Sequence, residues 1–352
     1  MNASQSPRPI RVVFFGTPDF AVPALRALAD DPRFEIVLVV TQPDRPAGRG
    51  RKVVMPAVKA AAQELGLVVH QPTRLRVEAD RQPLVDARAD VFVVAAYGMI
   101  FGPKTLAIPR IGCLNLHASI LPAYRGASPI SAAIAERRPR TGVSLMRMER
   151  GLDTGPVLGE QSVAIAPDDT TASLTARLAG IAAALAVDLI PAVVAGAVPP
   201  VAQSGPATLT RPLEKADGWL DWHRPALELE ALVRAMWPWP RAWTTVGYPA
   251  GDGWVLQIHR AAVIERSEPS PLAPGTVIAT EGGLAVVTGD GALQLDTVQT
   301  PGGRPVAGTA LTTASRLTLG SQLGQSGGPS DRKPLVAAVN DEIPDGAASP
   351  AR

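Results

Sequence analysis

The architecture of this chain is set near its amino terminus by the run IRVVFFGTPD at residues 10–19. Its β-branched and aromatic residues predict a buried strand, and the Gly-Thr-Pro-Asp that follows turns the chain into a helix extending to about Ala29. Similar apolar runs recur at residues 35–40, 90–96 and 113–117, with helical stretches between them. Such an order is typical of an α/β domain, so we predict a Rossmann-like, mostly parallel sheet with helices on both faces.

The pattern changes along the second half of the chain. Residues 141–148 and 156–164 predict antiparallel additions to the sheet, and residues 170–194 predict one long Ala-rich helix. After Trp243, short Thr- and Val-rich runs separated by turn residues predict a small, OB-like β-barrel. We therefore expect a flexible amino terminus at 1–9, a catalytic domain at 10–202, a linker at 203–216, a β-barrel domain at 217–323 and a disordered tail at 324–352.

Composition narrows the class of protein. The 352 residues include 34 Lys and Arg against 32 Asp and Glu, for a net charge of +2. This balance argues against a wholly basic protein that coats nucleic acid, but it allows a local basic patch. Cys113 is the single cysteine, so an intramolecular disulfide and a cysteine-based metal site are excluded, and the four histidines lack metal-ligand spacing. Without a signal-peptide pattern or an unbroken apolar span, the chain is expected to be a soluble cytoplasmic protein.

The main candidate for chemistry is the run GCLNLHASILP at residues 112–122. Asn115 and His117 are two residues apart on a predicted strand, so both side chains emerge on the same face. A neutral hydrogen-bond donor beside a titratable ring can stabilise an oxyanion and move a proton. In a parallel sheet, the loop that follows a strand is also the preferred place for a ligand. The alternative is that both side chains are ordinary polar groups at a strand end.

A glycine-flanked turn, GLDTG at residues 151–155, offers a carboxylate in Asp153. Placed against the imidazole, this carboxylate would orient the ring and favour its protonated form. Asn, His and Asp together indicate acyl-type transfer without a covalent enzyme intermediate. The alternative is an ordinary β-turn, since Asp and Gly are common turn residues.

Three further segments allow two interpretations each. The turn at Gly16 could hold a nucleotide phosphate, but it lacks the second and third glycines of a dinucleotide fingerprint, so a structural turn is favoured. The loop QPDRPAGRGRK at residues 42–52 carries four cations and one carboxylate, which suits either a solvated loop or contacts to phosphates. Three tryptophans within residues 237–243 favour a hydrophobic clamp between domains over a platform for stacking bases.

In this order, the motifs resemble the methionyl-tRNA formyltransferases. The resemblance extends from about residue 10 to about residue 323, and it is carried by FGTPDF (15–20), TQPDRPAGRG (41–50), AYG (96–98), the run at 112–126 and GLDTG (151–155). The Asn-x-His and Leu-Pro pattern alone marks only the wider class of enzymes that use 10-formyltetrahydrofolate. The Gln-Pro-Asp-Arg-Pro loop and the Pro-Trp-Pro segment of the carboxyl-terminal domain point to the enzymes that act on tRNA.

The resemblance implies an enzyme of translation initiation. It would transfer a formyl group from 10-formyltetrahydrofolate, the formyl-donor cosubstrate, to the amino group of methionyl initiator tRNA. Asn115, His117 and Asp153 would be catalytic. The residues expected to contact the folate are Ser119, Ile120, Leu121 and Pro122, and those expected to contact the tRNA are Arg45, Arg49, Arg51 and Lys52, together with the barrel domain. No metal and no membrane is implied, and a monomer is expected.

The basic loop separates this chain from two alternative enzymes. A sugar-nucleotide N-formyltransferase or a formyltetrahydrofolate hydrolase would share the three catalytic residues without needing the basic loop.

The chain departs from the family pattern at two positions. Arg211, in the linker, stands where the family usually has a tyrosine, and Ala118, after the predicted catalytic strand, stands where the family often has a glycine. The first change affects linker contacts, whereas the second matters only if the position needs a positive φ.

Overall fold

The computed structural model describes residues 8–47, 52–247, 253–265, 270–313, 317–325, 328–329 and 332–339. The strands are β1 (Ile10–Gly16), β2 (Phe34–Val40), β3 (Arg45–Ala47), β4 (Lys52–Val54), β5 (Val69–His70), β6 (Val91–Ala95), β7 (Gly112–His117), β8 (Arg125–Gly126), β9 (Arg140–Arg147), β10 (Val157–Ala164), β11 (Thr208–Thr210), β12 (Ala242–Val246), β13 (Trp254–Ile264), β14 (Val277–Thr280), β15 (Gly283–Val287), β16 (Ala292–Gln299), β17 (Val306–Ala307) and β18 (Val336–Ala338). The helices are α1 (Val22–Asp30), α2 (Ala57–Glu64), α3 (Glu78–Asp86), α4 (Pro103–Leu106), α5 (Pro129–Ala135), α6 (Thr171–Val194), α7 (Ala226–Ala235) and α8 (Ala310–Thr313).

The amino-terminal half is built on one seven-stranded sheet with the order β10-β9-β7-β6-β1-β2-β5. Strands β1, β2, β5, β6 and β7 pair in parallel, and the β9–β10 hairpin adds two antiparallel strands next to β7. The turn that contains Asp153 joins β9 and β10, so it lies beside the end of β7. The predicted α/β class with a mostly parallel sheet is confirmed.

Helices cover both faces of this sheet. Along β1, Val12 and Phe14 face a cluster formed with α1, α2 and α6, whereas Val13 and Phe15 face the opposite cluster, which includes residues of α3 and α4. This alternation explains why the strand reads as a continuous apolar run. At its end, a Cβ on Gly16 would lie 2.6 Å from the Cβ of Ala21, so the glycine permits close packing of the next helix. That contact favours the structural explanation of this turn.

Helix α6 is the long apolar helix that the sequence predicts. It begins with a capping box in which Thr170 and Ser173 bond each other's backbone N–H. By length and composition it could cross a membrane, but 44% of its most apolar window is buried inside the protein. It packs against α1, β9 and β10 and buries Leu174, Leu178 and Ile190. Its apolar composition is therefore accounted for by the core of the domain.

The carboxyl-terminal half contains an antiparallel sheet with the order β12-β13-β16-β15-β14, and β17 adds to β16. Residues 322–323 connect its two outer strands, because Leu323 pairs with Val246 of β12 and Gln322 pairs with Thr276 just before β14. These bridges close the sheet into a small barrel, as predicted. Helix α7 packs against β13 and also against α5 of the first domain.

The predicted linker and tail contain regular structure. Strand β11 lies in the linker and pairs with β8 on one side and with β18 on the other. The prediction of a disordered tail at 324–352 is therefore wrong for residues 332–339, because composition does not show that this segment completes the edge of β11. Within the terminus predicted to be flexible, residues 1–9, Arg8 forms a salt bridge to Asp90. Residues 1–7 and 340–352 lie outside the described residues.

The three tryptophans at residues 237–243 do not form one clamp. Strand β12 begins at Ala242 and carries Trp243 into contact with Trp219. Trp237 instead packs against His259, and Trp239 remains 55% exposed. The prediction of a hydrophobic clamp between domains is wrong for Trp237 and Trp243, because the rings that they contact, His259 and Trp219, belong to the same carboxyl-terminal half.

Candidate active site

Strand β7 places the side chains of Asn115 and His117 on one face. In the antiparallel pairing with β9, Asn115 lies opposite Met146 and His117 lies opposite Ser144. His117 is buried and Asn115 is half-buried. Because β7 ends at His117, the imidazole lies at the carboxyl edge of the parallel strands, where open α/β sheets bind their ligands.

The carboxylate of Asp153 contacts both of these side chains. Nδ2 of Asn115 donates a hydrogen bond to Oδ1 of Asp153 at 3.3 Å. Oδ2 of Asp153 lies 3.6 Å from Nδ1 of His117 and accepts a hydrogen bond from the backbone N–H of Gly126 at 2.8 Å. The Asp153 side chain is only 13% exposed. The structure thus brings together the three residues on which the sequence-based hypothesis of acyl-type transfer depends.

The hydrogen bond at the other side of the imidazole determines how His117 can act. Its Nε2 lies 2.8 Å from the backbone carbonyl oxygen of Tyr124. Because a carbonyl oxygen only accepts, Nε2 must carry a proton and donate it to this bond. Nδ1, which faces Asp153, is therefore the ring nitrogen that remains for exchanging a proton or donating to a ligand.

The backbone around Asp153 requires both flanking glycines. Asp153 has a φ of 52°, in the left-handed region. A Cβ on Gly155 would lie 1.9 Å from the carbonyl oxygen of Arg147, and a Cβ on Gly151 would lie 2.3 Å from Oγ1 of Thr154. Side chains at either glycine would displace the turn, so the Gly-x-Asp-x-Gly pattern has a steric cause.

Sequence reasoning missed a glutamine that holds this turn. Nε2 of Gln203 donates to the backbone carbonyls of Asp153 and Gly155, at 2.7 and 2.8 Å. Its Oε1 accepts hydrogen bonds from Nε and Nη2 of Arg125, at 3.1 and 2.8 Å. Burial lowers the pKa of Arg125, while the nearby charge of Asp153 acts in the opposite direction. Gln203 was assigned to the linker from composition, and its sequence context gives no signal of this role.

The linker strand β11 supports the loop that follows β7. Oγ1 of Thr208 accepts a hydrogen bond from the backbone N–H of Tyr124 at 2.8 Å. Oγ1 of Thr210 accepts from the N–H of Ser128 at 3.0 Å and donates to the carbonyl of Arg125 at 3.0 Å. The residues whose backbone groups bond His117 and Asp153 are thus fixed by the linker, which sequence reasoning treated as a connector only.

The segment expected to contact the folate forms a tightly bonded turn. Oγ of Ser119 donates to the carbonyl of Ala123 at 2.6 Å, and its side chain is buried. Oγ of Ser144 donates to the carbonyl of Ser119 at 2.8 Å and accepts from the N–H of Leu121 at 3.1 Å. Leu121 is buried, and the peptide bond that joins it to the next residue is cis. Ile120 and Pro122 remain half-buried, so they are the members of the segment with surface left for a ligand.

The basic segment forms a β-hairpin in the structure. Strand β3 begins with Arg45, which is exposed, and β4 begins with Lys52, whereas Arg49 and Arg51 lie outside the described residues. Asp44 supplies the one carboxylate of this segment. It accepts hydrogen bonds from Lys59 at 2.7 Å and from Gln71 at 2.7 Å.

These two bonds, chiefly that from Lys59, lower the pKa of Asp44. Asp44 therefore anchors the base of the hairpin to α2, the helix that carries Lys59.

Neither a metal nor a cysteine nucleophile is indicated by the described part of the chain. Within it, no group of three or more His, Cys, Asp and Glu residues is close enough to hold a metal ion. Cys113 lies on β7 with its side chain in the core, and burial raises the pKa of its thiol to about 12. A thiol that stays protonated is a poor nucleophile.

Comparison with known proteins places these features in a family. Residues 10–190 match the family model of formyl transferases, and residues 212–316 match that of the formyl transferase carboxyl-terminal domain. The methionyl-tRNA formyltransferase of Roseiflexus castenholzii is 45% identical over 316 residues, which are 90% of this chain and 99% of the relative. That of Methylococcus capsulatus is 44% identical over 316 residues, covering 90% and 100%.

Solved structures share the fold at low sequence identity. An N-formyltransferase from Helicobacter canadensis in complex with folinic acid and dTDP-3-aminofucose superposes with a TM-score of 0.58, at 15% identity, covering 83% of this chain and 99% of that one. HypX from Aquifex aeolicus in complex with tetrahydrofolic acid superposes with a TM-score of 0.56, at 14% identity, covering 87% of this chain and 47% of that one. With both domains matched and relatives aligned over nearly their whole length, the chain belongs to the methionyl-tRNA formyltransferase family.

Proposed function

We propose that this protein transfers the formyl group of 10-formyltetrahydrofolate to the α-amino group of methionyl initiator tRNA. The observation that carries the proposal is the Asp153 carboxylate, which contacts both Asn115 and His117 at the end of β7. The nearly full-length similarity to methionyl-tRNA formyltransferases supports the choice of donor and acceptor. We further propose that the protein acts as a monomer in the cytoplasm.

The reaction exchanges one C–N bond for another. A bond forms between the methionyl nitrogen and the formyl carbon, the bond from that carbon to N10 of the folate breaks, and the proton lost by the attacking nitrogen ends on N10. An α-amino group has a pKa of about 8, so a usable fraction of the acceptor is neutral near pH 7. The enzyme must therefore stabilise the oxyanion that forms on attack and must move one proton.

Asn115 suits the first task. Its amide carries two N–H donors, and one of them is bonded to Asp153. This bond fixes the amide plane and leaves the second N–H to donate to the oxyanion. Losing one such donor typically raises the barrier by about 2.7–4 kcal/mol.

His117 and Asp153 share the second task. Since Nε2 of His117 donates to the Tyr124 carbonyl, the protonated ring donates to the oxyanion through Nδ1. The 3.6 Å separation between Nδ1 and the Asp153 carboxylate is longer than a hydrogen bond, so this N–H is not already committed. Asp153 compensates the charge of the ring and assists removal of the proton from the attacking amine.

Substrate binding is divided between different surfaces in this proposal. Ile120 and Pro122 present their half-buried side chains to the folate, the buried Leu121 supports this segment, and Ser119 holds it through a bond to the Ala123 carbonyl. The basic segment of the sequence, with Arg45, Arg49, Arg51 and Lys52, contacts the phosphates of the tRNA together with the barrel domain. The proposed boundaries of this division are residues 10–202 for the formyl-transfer domain and 217–323 for the tRNA-binding barrel.

One assay tests the function against its alternatives. The protein is incubated with 10-formyltetrahydrofolate and each of three acceptors: methionyl initiator tRNA, a dTDP-amino sugar, and water alone. The proposal predicts formyl-methionine ester on the tRNA, with the other two acceptors slower by at least about a hundredfold. Faster transfer to the sugar amine or to water would overturn it in favour of a sugar-nucleotide N-formyltransferase or a hydrolase.

A further inference from the structure

The segment at residues 332–339, here called the strap, lies beyond the family matches, the last of which ends at residue 316. It nevertheless contacts the part of the molecule that holds the catalytic residues. We propose that the strap is a positioning element: it fixes the linker strand β11, and through β11 it fixes the loop that orients His117 and Asp153. This inference rests on the catalytic roles proposed above for those two residues.

Residues 335–339 of the strap are joined to the linker by backbone pairing. In the β18–β11 ladder, Thr208 lies opposite Ala338 and Thr210 lies opposite Val336. The ladder extends beyond both strand ends. The N–H of Val339 donates to the carbonyl of Ala207 at 3.0 Å, and the N–H of Arg211 donates to that of Leu335 at 3.4 Å.

The opposite edge of β11 holds the loop after β7. Thr210 pairs in parallel with Gly126, and its carbonyl accepts a hydrogen bond from the N–H of Ala127 at 3.1 Å. A Cβ on Gly126 would lie 2.2 Å from that carbonyl oxygen, so the two backbones are in close contact. Because the N–H of Gly126 bonds Asp153, a displacement of β11 reaches the catalytic carboxylate through one residue.

Side chains of the strap provide a second connection, to the histidine. Leu335 and Val336 pack against a buried cluster of Tyr124, Ala132 and Ala133. The backbone carbonyl of Tyr124 is the group that accepts the hydrogen bond from Nε2 of His117. The strap thus supports the residue that orients the imidazole.

Arg211, the linker residue that departs from the family pattern, contacts the strap. Arg211 donates to both carboxylate oxygens of Asp217, at 2.8 and 2.5 Å, and to the carbonyl of Lys333 at 2.7 Å. Arg332 donates to the carbonyls of Asp217 and Trp219, at 3.3 Å each. Asp217 is only 1% exposed. Arg211, which stands where the family usually has a tyrosine, therefore joins the buried Asp217 of the linker to the strap.

A small displacement of the loop is enough to affect the rate. Misplacing reacting groups by about 1 Å can cost about a hundredfold in rate. Without the strap, β11 would have an unpaired edge, and Thr208 and Thr210 would be held on one side only. We therefore expect loss of the strap to lower kcat more than it changes the KM for the folate.

A matched pair of proline substitutions tests this expectation. In an antiparallel ladder, hydrogen-bonded and non-bonded pairs alternate, and the bonds at Val339 and Leu335 place Ala337 in a bonded position and Ala338 in a non-bonded one. Ala337→Pro removes a ladder hydrogen bond, whereas Ala338→Pro removes an N–H that points away from β11. Both alanines are exposed, so neither substitution disturbs a buried side chain.

The assay is formyl transfer to methionyl initiator tRNA by the full chain, with thermal unfolding measured alongside. We expect Ala337→Pro to lower kcat by about tenfold or more, with the KM for 10-formyltetrahydrofolate within about twofold. Ala338→Pro should stay within about twofold of the parent in both constants. Equal kcat values for the two variants would overturn the proposal.

A double-mutant cycle separates positioning from a general loss of structure. If the strap acts through the catalytic residues, Ala337→Pro should lower kcat far less in an Asp153→Asn background than in the parent. Additive effects would show that the strap acts by another route and would overturn the inference. An unchanged kcat in the Asp153→Asn single variant would instead refute the role of Asp153, independently of the strap.

A second variant covers the case in which Ala337→Pro fails to fold. A chain that ends at residue 331 lacks the strap entirely and is assayed below its own unfolding temperature. We expect the same loss of kcat and the same non-additivity with Asp153→Asn. Parental kcat in this chain would contradict the proposal.

Discussion

The proposed catalytic residues and the basic hairpin are held in different ways. Asn115, His117 and Asp153 are buried or half-buried and are bonded to one another or to the backbone of the following loop. In the β3–β4 hairpin, by contrast, Arg45 is exposed and Val53 is 68% exposed. Asp44 anchors the hairpin at its base through hydrogen bonds from Lys59 and Gln71.

The difference separates two physical tasks. Stabilising an oxyanion requires donors fixed before the reaction, because reorganising them would add to the barrier. Contacting phosphates requires exposed cations that the backbone of the tRNA can reach. We therefore expect substitutions in the first region to change kcat and substitutions in the second to change tRNA affinity and its salt dependence.

The largest effect is expected for His117→Ala. This change removes the Nδ1 donor, and it should lower the rate of formyl transfer by about 10²- to 10⁴-fold. The measurement is the single-turnover rate at saturating folate and tRNA. His223→Ala is the control, because the His223 side chain is 82% exposed and its ring contacts the surface residue Asp221. A rate for His117→Ala equal to that of the control would contradict the proposed role of His117 in the chemical step.

A somewhat smaller loss is expected for Asn115→Ala. The oxyanion loses one donor, so kcat should fall by about 10²- to 10³-fold. The KM for the folate should change little, since the interaction is made in the transition state. Steady-state kinetics at several folate concentrations separate the two constants. A raised KM with an unchanged kcat would assign Asn115 to ground-state binding instead.

A moderate effect is expected when Arg45 and Lys52 are both replaced by Gln. Binding of tRNA should weaken, and the slope of log K against log salt should fall by about one for each phosphate that is no longer neutralised. Filter binding between low and moderate salt measures this slope, with Arg140→Gln as a control at an exposed cation of β9. Equal loss of folate affinity would contradict the division of labour between the two regions.

The smallest effect on activity is expected at the other edge of the sheet. Asp90 precedes β6 at the amino ends of the parallel strands, and its hydrogen bonds, chiefly from Arg8, hold its pKa well below the usual range. A depressed folded-state pKa stabilises the protein above the unfolded value of about 3.9, and this contribution is lost as the pH falls.

Asp90→Asn should therefore lower the free energy of unfolding by about 1–3 kcal/mol at pH 7 and by progressively less below about pH 4, with kcat unchanged. Urea unfolding of both proteins at pH 7 and at several pH values below about pH 4 checks the trend. A constant difference across the pH range would contradict it.

The sequence predicts the sheet well because its signals are local. Continuous apolar runs such as that of β1 and the Ala-rich α6 carry the strand and helix assignments within themselves. The strand that carries the proposed catalytic residues could likewise be identified from the spacing of Asn115 and His117. What local patterns could not supply is the packing between distant segments, such as the bonds from Gln203 to the Asp153 turn.

The tail is a second case in which local sequence patterns do not reveal the packing between distant segments. Its composition predicts disorder, yet Val336–Ala338 forms a strand because β11 offers it an unpaired edge. The reason for Arg211 also becomes visible only when Asp217 and the carbonyl of Lys333 are seen around its guanidinium. Pairing between remote backbones leaves no periodic signal in either segment.

The central claim is that the Asp153 carboxylate turns a polar strand end into a catalytic group. It is tested most directly by the single-turnover rate of formyl transfer in Asp153→Asn, with Asp168→Asn as a control at an exposed carboxylate. We predict a fall of at least about a hundredfold for Asp153→Asn, with folate and tRNA binding retained, and no change for the control. A rate for Asp153→Asn equal to that of the parent would contradict the claim.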